Sequence, residues 1–199
     1  MTIIQEQSVT LEACPTREDA LSLLERAGRT CYKSDPTGDP VGFVKRILNR
    51  RHMSVIEHCS ATMRFVTDRG VTHEMVRHRL AAYSQESSRY CNYSKEKFGA
   101  EIVVIPMISG LSEYQVQRRM DLYRHIERVY MAEIDEGIAP QQARDNLPTC
   151  LKTEIVMTAN FREWLHVFEL RTSSAAHPQM RALMIQAQDL LHIRIPELF

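Results

Sequence analysis

Val116, Met120, Tyr123, Tyr130 and Ile134 fall close to one face of a helix that stops at Gly137, the longest stretch of helical periodicity in the chain. Glycine accepts the left-handed backbone that closes a helix, so the stop is sharp. A helix of this length must bury its stripe against other elements, and the remaining sequence supplies them. Thr16 with Asp19 predicts an N-cap, and Ala20, Leu21, Leu24, Ala27 and Cys31 recur behind it at helical spacing. Asp39 before Pro40 places a cap and a proline at a second helix start, with Phe43, Val44, Ile47 and Leu48 on one face. Asn160 with Glu163 predicts another start, and Met180, Leu183, Met184, Ala187 and Leu190 give a periodic final helix. A short helix is expected from Val71 to about Leu80, and another from Pro140 to Leu147.

Strand patterns are fewer. Ala61 to Thr67 alternates, with Met63 and Phe65 on one side, before a turn at Asp68, Arg69 and Gly70. Ile102 to Ile105 reads as a strand ended by Pro106, and Thr149 to Thr158 is strand-like. A polar segment continues past Tyr93. With no internal repeat or linker, the expected class is α/β (α+β), one helix-rich domain over residues 1–199.

Charge and composition narrow the partners. The 44% hydrophobic and 25% charged fractions suit a folded globular chain. Lys plus Arg and Asp plus Glu both number 25, so no global field draws the protein onto nucleic acid or an anionic membrane. The longest run without a charged residue or histidine is Ile102 to Ser112, about half of the roughly 20 apolar residues of a membrane span. Met1 to Thr10 lacks a basic start before an apolar stretch, so a cytoplasmic address is expected. Cys14, Cys31, Cys59, Cys91 and Cys150 are an odd number without a C-x-x-C pair, which disfavours a disulfide framework and a zinc ribbon.

The densest polar cluster is Thr72 to Tyr93. Arg77, His78, Arg79 and Arg89, with Ser84, Ser87 and Ser88, place guanidinium forks and hydroxyls where phosphate oxygens would suit them. Glu74 and Glu86 are too few to pair these arginines. His73-Glu74 is followed by His78 five positions on, whereas the H-E-x-x-H zinc motif needs four, and no compact metal set emerges. No two glycines are separated by one residue, so both the dinucleotide fingerprint and the Walker A loop are lacking. A bound nucleotide must therefore be held by arginine and serine. Arg162 and His166 lie one helical turn apart, and Arg171 falls near that helix's end, where a cation is also favoured by the dipole.

Together these residues resemble the flavin-dependent thymidylate synthases, whose signature is R-H-R, seven residues, then S. Here it reads Arg77-His78-Arg79 and Ser87, followed by Arg89-Tyr90. The resemblance extends to His52-Met53-Ser54-Val55-Ile56-Glu57-His58, to Ala143-Arg144 with Leu147-Pro148, and to Asn160-Phe161-Arg162 through His166 and Leu170-Arg171. It implies a helix-rich α/β subunit in a homotetramer with shared active sites, FAD as cofactor, dUMP as acceptor, 5,10-methylenetetrahydrofolate as carbon donor and NADPH as reductant. Ser54, Arg77, His78, Arg79, Gln85, Asn160, Phe161, Arg162 and His166 would contact FAD. Glu74, Met75, Val76, Arg77, Gln85, Glu86, Ser87, Ser88, Arg89, Arg144 and Arg171 would hold dUMP, with Arg171 as the electrophile. His52 would lie near flavin and folate.

This chain departs from the pattern at Glu74, where many members have Gln, and at Ala82, Ser84 and Gln85-Glu86, where the better-known pattern has Ser, Asn and Glu-Gln. Two alternatives stand beside this reading: a sister enzyme that hydroxymethylates dUMP, and a non-catalytic nucleotide- or RNA-binding module on the same fold.

Overall fold

Side chains that accept hydrogen bonds open the helices at the expected places. In the computed structural model, which describes residues 3–4, 6–31 and 33–199, Thr16 Oγ1 accepts from the Asp19 amide at 3.1 Å. Asp39 Oδ1 accepts from Gly42 at 2.8 Å, and Asn160 Oδ1 from Glu163 at 2.9 Å. Each satisfies one of the amides left unpaired at a helix start. The leader reading of Met1 to Thr10 rests partly on Met1, Thr2 and Gln5, which lie outside the described residues.

The elements follow in the order β1 (Ile3–Ile4), β2 (Ser8–Ala13), α1 (Arg17–Thr30), α2 (Pro40–Asn49), a 3-10 segment (Met53–His58), β3 (Ser60–Asp68), α3 (Arg69–Met75), β4 (Ala81–Gln85), β5 (Val103–Val104), α4 (Glu113–Asp135), α5 (Pro140–Ala143), β6 (Lys152–Asn160), α6 (Phe161–Arg171) and α7 (Pro178–Arg194). Strands β2, β3, β6 and β4 form a four-stranded sheet in that order. A separate parallel pair sets Ile3 beside Val103 and Ile4 beside Val104. Many helices with one four-stranded sheet and a short strand pair make the α+β class.

The chain forms two compact units. The first comprises Met1–Gln7, Val66–Val76 and Ser84–Ile155. Its core joins Tyr93, Ile102, Val104, Tyr130, Ala143 and Leu151, all buried, with Tyr123 and Ile134 from the long helix α4 packed against it. The Tyr93 and Tyr130 rings lie 6.0 Å apart, and the buried Glu127 accepts from the Ile102 amide at 2.9 Å. A capping box of Ser112 and Gln115 opens α4, and Gly137 follows its end at φ +89°.

The second unit comprises Ser8–Phe65, Arg77–Tyr83 and Val156–Phe199. Its core draws Leu21 and Leu24 from α1, Val44 and Ile47 from α2, Met63 and Phe65 from β3, Trp164 and Phe168 from α6, and Met180, Leu183 and Leu191 from α7. Trp164 stacks on Phe168 at 5.5 Å and donates its indole N–H to the Ala61 carbonyl at 3.1 Å, so the one polar atom of the largest core side chain is satisfied.

Some boundaries differ from expectation. Asp68 to Gly70 is a helix start, since Asp68 Oδ1 accepts from the Val71 amide at 2.8 Å. α3 then ends at Met75, which leaves Arg77 to Leu80 outside any helix. Ala81 to Gln85, expected as part of a polar loop, is strand β4, and Ser8 to Ala13, for which no element was expected, is β2. β6 runs from Lys152 to Asn160, later than the expected Thr149 to Thr158.

Candidate active site

α6 carries Glu163, His166 and Leu170 at steps of three and four, which brings them to one face, and Arg171 is its last residue. In the second unit these side chains line a cleft of about 970 Å³ together with Arg77, His78, Arg79 and Leu80, and with Ser173, Ala175 and Ala176 beyond the helix. The early end of α3 matters here. Arg77 to Leu80 follow that helix as a turn and irregular backbone, and three consecutive charged or titratable side chains line one cleft; a helix would distribute them around its axis.

His78 is the buried centre of this group, at 7% exposure. Its Nε2 lies 2.9 Å from Arg171 Nε. An arginine nitrogen can only donate, so Nε2 accepts and the imidazole is neutral with its proton on Nδ1. Nδ1 in turn lies 3.7 Å from Oε1 of Glu163, which is itself buried. Burial first, then the positive charges of Arg171, His166 and Arg77, lower the His78 pKa from 6.5 to about 4, in agreement with a neutral ring. The His166 ring meets His78 edge-on at 6.0 Å. Tyr83 on β4 donates its hydroxyl to the His78 carbonyl at 2.9 Å, and burial raises the Tyr83 pKa to about 12.

Two smaller hollows in the same unit continue along α6. One of about 630 Å³ shares Leu80, Glu163 and His166 with the cleft and adds Met53, Glu57, Asn160, Arg162, Leu165 and Glu169. The next, about 360 Å³, shares Met53 and Arg162 and adds Gly28, Cys31, Ile47, Arg51, His52, Ser54 and Val55. Arg162 is paired with Glu57 at 2.6 Å. Ser54, Asn160, Arg162 and His166 thus line hollows that share walls, in sequence, with the cleft of Arg77, His78 and Arg79. Phe161 does not: its side chain is fully buried, edge-on to Phe199 at 5.3 Å, and serves the core.

In the first unit, Ser88 and Arg144 line a pocket of about 220 Å³ with Arg69, His73, Asp145, Leu147, Pro148, Thr149 and Leu151. Its volume suits a phosphate group. The neighbouring motif residues are partly engaged already. Gln85 Nε2 donates to Thr72 Oγ1 at 2.9 Å and Thr153 Oγ1 at 3.3 Å. Glu86 accepts from the Tyr93 hydroxyl at 2.9 Å and lies 3.6 Å from Lys152 Nζ. Ser87 Oγ accepts from the Arg89 amide at 3.4 Å, and the exposed Arg89 guanidinium sits over the Tyr90 ring at 5.5 Å. Glu74 is half-buried and Val76 exposed, whereas the Met75 side chain is buried at 1% and contributes to packing.

Arg69 and His73 line this pocket although in the sequence Arg69 reads as part of a turn and His73 only as a failed zinc motif. Glu163 lines the cleft although its place reads as that of a helix-start acid; its step of three to His166 is the signal the sequence offers. Among the described residues no group of three or more His, Cys, Asp or Glu could hold a metal ion, and no helix is long and apolar enough to cross a membrane.

Comparison with known proteins gives the same direction. A family model described as thymidylate synthase complementing protein matches residues 14–197. A flavin-dependent thymidylate synthase from Geobacter sulfurreducens is 32% identical over 95% of this chain and 83% of its own length. One from Mycobacterium avium is 32% identical over 89% of this chain and 78% of its own. The fold also matches the UMP/dUMP methylase PolB from Streptomyces cacaoi. Solved with 5-Br dUMP, PolB aligns with a TM-score of 0.79 and 22% identity over 99% of this chain and 94% of its own. Solved with 5-Br UMP, it aligns with a TM-score of 0.82 and 20% identity over 98% and 93%. The match runs through every segment that lines the cleft and the pocket, and this chain belongs to the flavin-dependent thymidylate synthase family and is an enzyme of that kind.

Proposed function

We propose that the protein converts dUMP to dTMP, with FAD as cofactor, 5,10-methylenetetrahydrofolate as carbon donor and NADPH as reductant. The carrying observation is that the chain holds arginine-lined hollows of different size without a basic whole surface. The cleft of Arg77, His78, Arg79 and His166 with the adjoining hollow of Arg162 suits a diphosphate with extended ring systems, and the pocket of Arg69, Ser88 and Arg144 suits a monophosphate. The donor chemistry fits FAD: the cations of the cleft would neutralise a diphosphate that no glycine-rich loop in this sequence is there to hold. When bound, FAD supplies the reducing chemistry that turns a transferred one-carbon unit into a methyl group.

Ser54, Arg77, His78, Arg79, Gln85, Asn160, Arg162 and His166 would hold FAD, and Glu74, Val76, Arg77, Gln85, Glu86, Ser87, Ser88, Arg89, Arg144 and Arg171 would hold dUMP. The buried Phe161 and Met75 side chains take no direct part. Arg171 would face the pyrimidine and stabilise the negative charge that develops as the ring carbon becomes a nucleophile. His52 would border the flavin and folate. The family match runs through both compact units, which supports residues 1–199 as one functional domain. A cytoplasmic address and a homotetramer with shared sites complete the reading.

Incubation of purified, FAD-loaded protein with dUMP, methylenetetrahydrofolate and NADPH, followed by product chromatography, is expected to give dTMP. A 5-hydroxymethyl product would redirect the reading to the sister reaction, and no product would overturn it. A parallel UMP arm is warranted because the structural neighbour is a UMP/dUMP methylase. Light scattering of active protein should give the mass of four 23.0 kDa chains; the mass of one chain would sink the shared site.

A further inference from the structure

We propose that Glu163 is a positioning residue that fixes the tautomer of His78, so that His78 Nε2 can receive and orient the Arg171 side chain. The geometry is a chain of three side chains: Glu163 Oε1 lies 3.7 Å from His78 Nδ1, and His78 Nε2 lies 2.9 Å from Arg171 Nε. Only one proton arrangement fits. Arg171 donates to Nε2, so the ring proton is on Nδ1, the side that faces the carboxylate.

A neutral imidazole in water can carry its proton on either nitrogen. With the proton on Nε2, that nitrogen would direct an N–H at the Arg171 Nε–H, and this hydrogen bond would be lost. A carboxylate beside Nδ1 favours the tautomer that leaves Nε2 free to accept. Both Glu163 and His78 are buried, with side-chain exposures of 7% and 6%, so the field of the carboxylate is little screened by water. The backbone is held too, by the Tyr83 hydroxyl on the His78 carbonyl. Glu163 cannot be exchanged for any helix-start acid, since its role depends on facing His78 one turn before His166.

The consequence for turnover rests on the proposed role of Arg171 at the pyrimidine; the tautomer itself does not. The first test is therefore nuclear magnetic resonance of the flavin-free chain labelled with [15N]histidine, with His78 assigned by its loss in His78→Gln. The expected result is an Nδ1-protonated, Nε2-unprotonated ring in the wild type and a mixture of tautomers in Glu163→Leu. An Nε2-protonated wild-type ring, or a tautomer unchanged in the variant, overturns the proposal. Glu163→Gln, nearly isosteric, should give an intermediate mixture if the leucine variant fails to fold.

The second test is a double-mutant cycle read in steady-state kinetics at saturating dUMP, with flavin content matched. Glu163→Leu should lower kcat at least tenfold while KM for dUMP stays within about twofold. In a His78→Gln background, where the amide oxygen accepts from Arg171 and has no tautomer to fix, the same change should lower kcat less than twofold. Equal losses in both backgrounds would show a merely structural Glu163. If no variant or wild type turns over dUMP while the resonance result holds, the functional reading fails and the positioning of Arg171 stands.

Discussion

Arg171, the last residue of α6, donates its Nε–H to Nε2 of His78 at 2.9 Å, across 93 positions of sequence. A cation at a helix C-terminus is favoured by the helix dipole whatever its function. The hydrogen bond to a buried neutral imidazole goes further, because it fixes the direction of the guanidinium within an arginine-lined cleft.

Arg171→Ala and Arg89→Ala should consequently fail in different ways. Arg89 is exposed and rests over Tyr90; in its proposed role its removal would lose one charge-assisted contact to a non-reacting phosphate, worth roughly 1.5 to 3 kcal/mol and felt as a raised KM for dUMP. In its proposed role Arg171 meets charge present chiefly in the transition state, and its loss should lower kcat by the equivalent of about 3 to 4 kcal/mol. Kinetics on both variants, with flavin content checked first, decide the matter. Near-normal turnover in Arg171→Ala would reduce it to a helix-end cation.

His78 also ties stability to pH. Its pKa falls from 6.5 in the unfolded chain to about 4 in the folded one, through burial and then the charges of Arg171, His166 and Arg77, with Glu163 and Tyr83 also facing it. Between these values the unfolded chain binds the proton and the folded chain does not, so stability is lost as pH falls from 6.5 towards 4 and is fully present above 6.5. At about 1.4 kcal/mol per unit the effect is of the order of 3 kcal/mol. Urea unfolding across that window should show a shallower pH dependence for His78→Gln than for the wild type. Parallel curves would mean that His78 titrates alike in both states.

Much of this fold is legible in local chemistry. The caps at Thr16, Asp39 and Asn160 need no tertiary information, because the acceptor side chain and the amide it satisfies are three residues apart. β4 was not legible: Ala81 to Gln85 has no apolar alternation, and its strand form comes from sheet partners distant in sequence. The turn expected at Asp68 to Gly70 failed because aspartate and glycine mark turns and helix starts alike. In the site, the arginine motif was readable as chemistry, whereas the contacts of Glu163 with His78 and of Arg69 with its pocket depend on packing that no local spacing encodes.

Arg69 offers a direct check on the smaller pocket. It is half-buried, donates to the Glu86 carbonyl at 3.4 Å, and lines the same hollow as Ser88 and Arg144. Arg69→Ala should raise KM for dUMP roughly tenfold, the lower range for a charge-assisted contact, with kcat little changed. Deoxyuridine, which lacks the phosphate, should bind wild type and variant alike in an equilibrium titration. A loss equal for nucleotide and nucleoside would place Arg69 outside phosphate recognition.

Gly28 sets two opposing effects against each other. It lies inside α1, where alanine is ordinarily more stable than glycine by about 1 kcal/mol. A Cβ at Gly28, however, would stand 2.7 Å from Cε1 and Cζ of Phe43 and 3.3 Å from Cγ1 of Val55. The Phe43 ring has a reason to stay, since the Arg29 guanidinium lies over it at 4.9 Å and is itself bonded to the buried Glu25 at 2.8 Å. Overpacking of this kind costs about 1 to 3 kcal/mol, which outweighs the helix gain. Gly28→Ala should therefore lower stability in urea unfolding at fixed protein concentration. In a Phe43→Ala background the clash with the ring is gone, and the same substitution should then become neutral or stabilising. If Gly28→Ala destabilises both backgrounds equally, the ring is not what excludes a side chain at this position.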